Sequence, residues 1–156
     1  MTKKDYHSRH AENKKNARAI AANRRISTKY AVEICREIKG KPVKKAEAFL
    51  ERVREHTDYL PLRKYSKKVA HRKGKGAHVV KAGRFPENAC KEFLDLLKSV
   101  KANADAKGLD TEKLMVMDAL ATQGFRRTAM QPKGHISGRM RERKSTHLEI
   151  VVAEAK

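Results

Sequence analysis

The sequence predicts an α+β fold in which three helices pack on a small three-stranded antiparallel sheet, with a long β-hairpin protruding from that sheet. Three observations lead to this prediction. Three segments repeat apolar residues at helical spacing, two C-terminal segments alternate partly as strands do, and a basic stretch of about two dozen residues separates those two strands. The length of 156 residues suits one domain better than two.

The three predicted helices begin and end at residues that favour helix termini. Ser27 can cap the first helix, and Gly40 is placed to end it. Pro42 and Pro86 suit the first turns of the second and third helices, where a missing N–H costs nothing, and Gly108 ends the third. The inward-facing residues are Ala31, Ile34, Cys35 and Ile38 in the first helix, Val43, Ala46, Phe49, Leu50 and Val53 in the second, and Ala89, Cys90, Phe93, Leu96, Leu97, Val100 and Ala104 in the third.

Strands are predicted at residues 17–26, 113–120 and 146–152. The connection between the last two is well beyond ordinary loop lengths. If both strands continue as a ribbon to a turn near residues 132–134, its tip lies about 30 Å beyond the sheet, at about 3.3 Å per residue. A two-stranded ribbon is marginal alone in water. The alternative is a basic loop that is disordered in the free protein and becomes ordered on a partner.

The positive charge is segregated along the chain. The formal net charge is +20, and residues 59–85 hold nine Lys and Arg with no acidic residue. Residues 30–58 and 86–112, which carry the patterns of all three predicted helices, are nearly balanced. Since solvated surfaces normally mix both signs, this segregation indicates a folded core that presents cationic loops to a polyanion. A membrane surface is the rival polyanion, but no stretch resembles a transmembrane helix, and we expect no membrane insertion.

Cys35 and Cys90 are expected to be small buried hydrophobic residues in a reducing compartment. The first residues lack the apolar run of a signal peptide, so an intracellular protein is expected. His7 and His10 are better explained as solvated polar residues than as a terminal metal site. No cofactor or metal is expected, because closely spaced pairs of cysteine or histidine ligands of the zinc-site type do not occur elsewhere.

Enzyme signatures do not occur in the sequence: there is no Gly-rich phosphate loop, His-Glu-x-x-His or Gly-x-Ser-x-Gly pattern. His56, His71 and His78 raise the possibility of a small hydrolase, with Glu55 and Asp58 as the nearby carboxylates. In Ala70-His71-Arg72-Lys73-Gly74, however, a phosphate contact or stacking on a base is the better interpretation of His71. We therefore expect a protein that is not an enzyme.

Contact with structured RNA through several loops fits the basic segments best. Lysine and arginine neutralise phosphates, and arginine adds bidentate contacts and base stacking. The sequence has none of the usual motifs of sequence-specific DNA readers. The candidate RNA contacts are Arg24, Arg25, Arg63, Lys64, Lys67, Lys68, His71, Arg72, Lys73, Lys75, Arg84, Arg126, Arg127, Lys133, Arg139, Arg141, Arg143 and Lys144.

From about residue 17 to the C-terminus, the chain resembles the family of large-subunit ribosomal protein twenty-two of the universal series, seventeen in the eukaryotic series. The segment 62–86 is similar to the archaeal and eukaryotic branch of that family. The motifs that carry the resemblance are Arg24-Arg25-Ile26-Ser27, Glu33-Ile34-Cys35-Arg36-Glu37-Ile38-Lys39-Gly40, Ala46-Glu47-Ala48-Phe49-Leu50, Ala102-Asn103-Ala104-Asp105-Ala106-Lys107-Gly108-Leu109-Asp110 and Thr146-His147-Leu148-Glu149-Ile150-Val151-Val152.

The resemblance implies a structural protein that binds large-subunit ribosomal RNA, aids its assembly and lines the nascent-peptide exit tunnel with its hairpin. Its implied partners are that RNA, neighbouring large-subunit proteins and the nascent polypeptide, on ribosomes in the cytoplasm. The implied tunnel residues at the hairpin tip are Met130, Gln131, Pro132, Lys133, Gly134 and His135.

We expect a basic N-terminal tail at residues 1–16. One RNA-binding domain follows at 17–156, with a basic insert at 59–85 and an extended hairpin at about 121–145. A free-standing RNA chaperone is the alternative function, since it would explain the charge but not the hairpin.

Overall fold

The computed structural model describes residues 6–8, 15–73, 76, 78–135 and 137–155. The helices are α1 (Thr28–Ile38), α2 (Val43–Arg54) and α3 (Glu87–Asp105). The strands are β1 (Ala17–Arg24), β2 (Leu60–Pro61), β3 (Gly83–Arg84), β4 (Leu114–Met130) and β5 (Met140–Glu154), and a short 3-10 turn, Thr111–Lys113, precedes β4.

The sheet has the order β1-β5-β4 with antiparallel pairing throughout, and β5 is the central strand. Helix α3 packs on β1 and β5, α1 packs on β4, and α2 packs on α3. The fold class predicted from the sequence is thereby confirmed. The structure adds a second small sheet, in which β2 pairs antiparallel with β3 at the two ends of the basic insert.

The helical stripes predicted from the sequence form the core. Every residue named for the three inward faces is buried, and Phe93, Leu97, Ile34 and Leu50 are completely enclosed. Leu148, Ile150 and Val152 of the central strand complete this cluster from the sheet side. Both cysteines are free and buried, and burial raises the pKa of the Cys90 thiol to about 12.

Several element boundaries differ from the prediction. Pro42 and Pro86 stand immediately before the first helical residues, not within the first turns. Ser27 occupies the N-cap position of α1, but its hydroxyl makes no capping hydrogen bond. Strand β1 ends at Arg24, two residues early, because the chain turns there toward α1. Gly40 ends the first helical segment as expected, with a positive φ of 77°.

Part of the expected N-terminal tail lies against the sheet. The backbone N–H groups of His7 and Ser8 each donate to the buried Glu149 carboxylate at 2.9 Å, and the Ser8 hydroxyl donates to Asp118 at 2.7 Å. Buried carboxylates are costly unless they accept hydrogen bonds, so these contacts stabilise residues 6–8 and the sheet together. None of the helices that the structure describes combines the length and the apolar composition that a membrane-spanning segment needs.

Candidate nucleic-acid interface

Strands β4 and β5 continue as a paired ribbon far beyond the core, from Gln123 opposite Thr146 to Met130 opposite Met140. Residues opposite each other share one face of the ribbon, and successive residues alternate between faces. Arg127 lies opposite Arg143, and Ala129 lies opposite Arg141. These four residues form one side of the ribbon, the arginine face, whose three charges have the same sign.

The other side of the ribbon, the mixed face, has a different composition. It consists of Arg126, Thr128, Met130, Met140, Glu142 and Lys144. Lys144 forms an ion pair with Glu142 at 3.3 Å, and Arg126 donates to the Gln123 side chain at 2.8 Å. Met130 and Met140 face each other near the tip, both largely exposed. Positive charge on this face is therefore partly neutralised, and its outer end is apolar.

A hydrogen-bonded loop closes the tip. The Gln131 N–H donates to the Arg139 carbonyl at 3.0 Å, and the Gly138 N–H donates back to the Gln131 carbonyl at 2.9 Å. Gly134 and Gly138 adopt φ values of 88° and 79°, a left-handed region that favours glycine. Pro132, Lys133 and His135 are exposed around this loop.

The basic insert is anchored at its start by a carboxylate of α1. Glu33 is almost completely buried, and it accepts the backbone N–H groups of Lys64 at 2.6 Å, Tyr65 at 2.7 Å and Arg63 at 3.3 Å. The neighbouring Glu37, one turn later, receives the Arg63 guanidinium at 2.9 Å. Because three backbone donors converge on one anion, this part of the insert has a fixed position that holds Lys64 at the surface.

The far side of the insert is anchored by Asp58. Its carboxylate lies 2.9 Å from His78 Nε2, accepts the Tyr59 N–H at 2.8 Å and lies 3.6 Å from the Arg52 guanidinium. The His78 ring makes edge contacts with Tyr59 and Phe49. The insert is thus tied to α2 as well as to α1.

Most candidate RNA contacts are exposed, but some are engaged within the protein. Arg72 donates through Nε to the Gly83 carbonyl at 3.2 Å and stacks over Phe85, so it helps to hold the insert. Arg24 pairs with Glu92 at 3.3 Å. Arg84 is half-buried, and Lys75 lies outside the described residues. The exposed candidates are Arg24, Arg25, Arg63, Lys64, Lys67, Lys68, His71, Lys73, Arg126, Arg127, Lys133, Arg139, Arg141, Arg143 and Lys144.

The first strand brings two of the candidates toward the hairpin base. Arg24 lies opposite Thr146 of β5, two residues from Lys144. Arg25 lines a groove together with Tyr30 of α1 and with Phe85, the last residue of the insert. The end of β1 therefore connects the base of the ribbon with the end of the insert.

The histidines considered for a hydrolase have separate surroundings. His56 pairs with Glu87 at 2.7 Å, His78 pairs with Asp58, and the His71 side chain is exposed. Among the described residues, no group of three or more His, Cys, Asp or Glu side chains is arranged to hold a metal ion.

Comparison with known proteins identifies the family. The profile of the family described as ribosomal protein L22p/L17e matches residues 19–153, nearly the whole chain. The chain belongs to this family. Proteins named large ribosomal subunit protein uL22 are similar to it: that of Methanococcus aeolicus is 36% identical over 140 residues, covering 90% of each chain.

Two further archaeal members of the family show the same level of similarity. The uL22 protein of Ignicoccus hospitalis is 38% identical over 141 residues, which cover 90% of this chain and 89% of the relative. That of Methanopyrus kandleri is 37% identical over 143 residues, covering 92% and 89%. The family resemblance inferred from the sequence motifs is confirmed, and these archaeal relatives agree with the archaeal and eukaryotic branch inferred from segment 62–86.

Sequence reasoning missed the buried carboxylates that position the interface. In the charge pattern, Glu33 and Glu37 stand out only as acids that balance the basic residues of a helical segment. A usable signal is their four-residue spacing along the edge of the stripe that contains Ile34 and Ile38, since that position faces neighbouring segments and not solvent. Glu149 gives a similar signal, because it stands within an apolar run of the central strand.

Proposed function

We propose that this chain is a structural constituent of the large ribosomal subunit that binds large-subunit ribosomal RNA and aids its assembly, and that it is not an enzyme. Membership in the L22p/L17e family and the names of the archaeal relatives support this proposal. Its partners in the proposal are the RNA, neighbouring ribosomal proteins and the nascent polypeptide, on ribosomes in the cytoplasm.

In this proposal residues 17–156 act as one RNA-binding domain, with residues 1–16 as a basic tail. The insert at 59–85 and the hairpin at about 121–145 are its two RNA-binding extensions. The anchoring of the insert by Glu33 and Asp58 supports a prearranged surface, because it fixes backbone segments that carry exposed lysines. Prearranged contacts lose less conformational entropy when the partner binds.

The observation that carries the proposal is the arginine face of the hairpin. Arg127, Arg141 and Arg143 project from a ribbon that buries almost nothing in its outer half. Three like charges on a marginal ribbon are unfavourable in the free protein, and RNA phosphates would neutralise them. Arginine also stacks on bases and binds phosphate through two nitrogens, which suits folded RNA.

The mixed face is proposed to border the peptide exit tunnel, with the tip loop of residues 130–135 at its end. A surface that contacts many different nascent chains should bind none of them tightly. Two facing methionines and an ion pair whose charges cancel fit that requirement better than a row of arginines, because methionine is apolar and adaptable.

Sedimentation of cell extracts tests the proposal. The chain should migrate with the large subunit at one copy per particle and remain there through a moderate-salt wash. Migration near the top of the gradient, or loss at low salt in variable amounts, would instead support a free-standing RNA chaperone.

A matched pair of double variants tests the arginine face. Replacing Arg141 and Arg143 with glutamine should reduce the magnitude of the slope of log affinity for large-subunit RNA against log salt by about 1.4–1.8, since each phosphate contact contributes roughly 0.7–0.9. Replacing the exposed Lys91 and Lys98 of α3 removes the same charge from a surface outside the proposed interface, and should leave the slope unchanged. Equal effects of the two variants would favour diffuse charge attraction, as a chaperone shows.

A further inference from the structure

The ribbon leaves the sheet at a place where both neighbouring strands bulge. Between Gln123 and Arg126 the register with β5 shifts, so that two residues of β4 oppose Ser145 alone. Between Ala21 and Arg24 the register shifts again, and two residues of β1 oppose His147 alone. A β-bulge bends its strand and increases its twist. Two bulges on opposite sides of the same short segment of β5 therefore change the direction of the strands where the ribbon leaves the sheet.

Asn23 connects the two bulges. Its backbone has a φ of 54°, a left-handed conformation that asparagine tolerates better than most residues. Its N–H donates to His147 Nδ1 at 3.2 Å. Its side-chain oxygen accepts the Ser145 hydroxyl at 3.1 Å and the Phe125 N–H at 3.4 Å. One residue at the end of β1 thus bonds to both strands of the ribbon.

Gly124 leaves the space that these contacts need. A Cβ atom at this position would lie 2.6 Å from the Ser145 hydroxyl and 2.7 Å from the Asn23 side-chain oxygen. Both distances are too short for a carbon atom, so any side chain there displaces the connection. The Ser145 hydroxyl also lies 3.1 Å from the Phe125 carbonyl.

Thr146, the next residue of β5, connects the same segment to the start of α1. It is completely buried, and its hydroxyl donates to the Ile26 carbonyl at 2.9 Å. Since that proton is used, the Thr28 hydroxyl donates in the 2.8 Å contact with Thr146. The start of α1 and the base of the ribbon are therefore linked directly.

We propose that Asn23, Gly124 and Ser145 form a joint that sets the direction in which the hairpin leaves the sheet, and that this direction determines whether the hairpin enters its RNA channel. The proposal rests on the proposed function of the hairpin. A ribbon of about ten residues is roughly 30 Å long, so a tilt of about 10° at the joint moves the tip by about 5 Å. Such a displacement is comparable to the spacing of neighbouring strands, and RNA walls would not accommodate it.

The first test measures the direction in the free, full-length protein. Spin labels on Lys133→Cys at the tip and Lys98→Cys on α3 report the distance between hairpin and core, because the native thiols are buried. Asn23→Gly keeps the left-handed backbone and removes the amide, and Gly124→Ala displaces it. Both variants should shift the mean distance between the spin labels by about 5 Å, or widen the distribution of that distance by a similar amount. The control is Thr128→Ala, an exposed change farther along the ribbon.

The second test measures entry into the large subunit. Tagged Asn23→Gly should be incorporated about fivefold less than the wild type in competition, as expected if about one fifth of its hairpins keep the direction that enters the RNA channel. Its unfolding midpoint should stay close to that of the wild type, which separates positioning from loss of the fold. If Gly124→Ala does not fold, Asn23→Gly and Ser145→Ala still decide the question.

The outcomes distinguish this proposal from the function on which it rests. Unchanged distances in Asn23→Gly and Gly124→Ala, or a wild type as broad as the variants, would overturn the joint. Shifted distances with normal incorporation would overturn its role in entry. If the wild-type chain itself is not incorporated, the proposed ribosomal function fails, whatever the distances show.

Discussion

The inner and outer halves of the β4–β5 hairpin are built from the same two strands but are stabilised differently. In the inner half, Leu148, Ile150 and Val152 are completely buried, and β5 is paired on both sides. In the outer half, residues 141–144 are exposed, and β5 is paired with β4 alone. The inner half is therefore held by burial of apolar area, whereas the outer half is held by backbone pairing against the repulsion of like charges.

Two phenylalanines make the largest test of this difference. Phe93 is completely buried in α3, whereas Phe125 of the ribbon is 70% exposed. Phe93→Ala should lower the free energy of unfolding by about 3–5 kcal/mol, because it leaves a cavity in the core. Phe125→Ala should change it by less than about 0.5 kcal/mol. Denaturant titration measures both, and similar losses would show that the ribbon packs against the protein.

The core could be predicted from the sequence because its rule is simple. Burial favours apolar residues at fixed spacing. The spacing of Ala31, Ile34 and Ile38 on α1, or of Phe93 and Leu97 on α3, therefore shows which face of the helix is buried. The two faces of the ribbon could not be predicted in the same way. They depend on which residues lie opposite each other, and a shift of one residue exchanges the faces.

The joint and the anchors of the insert were beyond prediction for a related reason. Asn23 and Ser145 are ordinary polar residues until two bulges bring them together across 122 positions of sequence. Glu33 is separated from Lys64 by 31 positions, and nothing local indicates that its carboxylate accepts backbone groups there. Long-range hydrogen bonds of this kind depend on the completed fold.

The insert should lose stability when a buried contact is changed, as the inner half of the hairpin does, because buried carboxylates anchor it. Glu33→Gln should reduce stability by about 1.5–3 kcal/mol, since it removes charge-assisted hydrogen bonds and leaves backbone donors without an anion. The same variant should expose Lys67 and Lys68 to tryptic cleavage at a higher rate. Glu51→Gln, an exposed change on α2, is the control. Equal cleavage in both variants would show that the insert is not held through Glu33.

Asp118 should make the inner half sensitive to acid. Burial alone would raise the pKa of this carboxyl, but hydrogen bonds from Lys39 and Ser8, together with the Lys39 charge, lower it below its usual 3.8. The folded state therefore binds this proton less readily than the unfolded state. The stability due to Asp118 is present above pH 3.8 and is lost as the pH falls through the lower folded pKa.

The comparison variant for this pH dependence is Asp118→Asn. Above pH 5 it should be less stable than the wild type by about 1 kcal/mol, and the difference should shrink as the pH falls through the carboxyl titration. Asp95→Asn on the exposed side of α3 is the control. Urea midpoints of the variant and the wild type across the acid range measure this. A difference in midpoint that stays constant with pH would contradict the assignment of the acid sensitivity to Asp118.

The smallest effects on stability are expected in the outer half of the hairpin. Two substitutions there should change its stability in opposite directions. Arg143 faces Arg127 across the ribbon, so Arg143→Gln should stabilise the free hairpin by a few tenths of a kcal/mol, because it removes like-charge repulsion. Glu142→Gln breaks the ion pair with Lys144 and should destabilise it by a similar amount. Amide hydrogen exchange of residues 126–129 and 141–144 at low salt measures both. High salt should abolish the two differences, since exposed charges are screened. Reduced protection in Arg143→Gln would mean that the arginine face stabilises the free ribbon, and that its charges need no neutralisation by RNA.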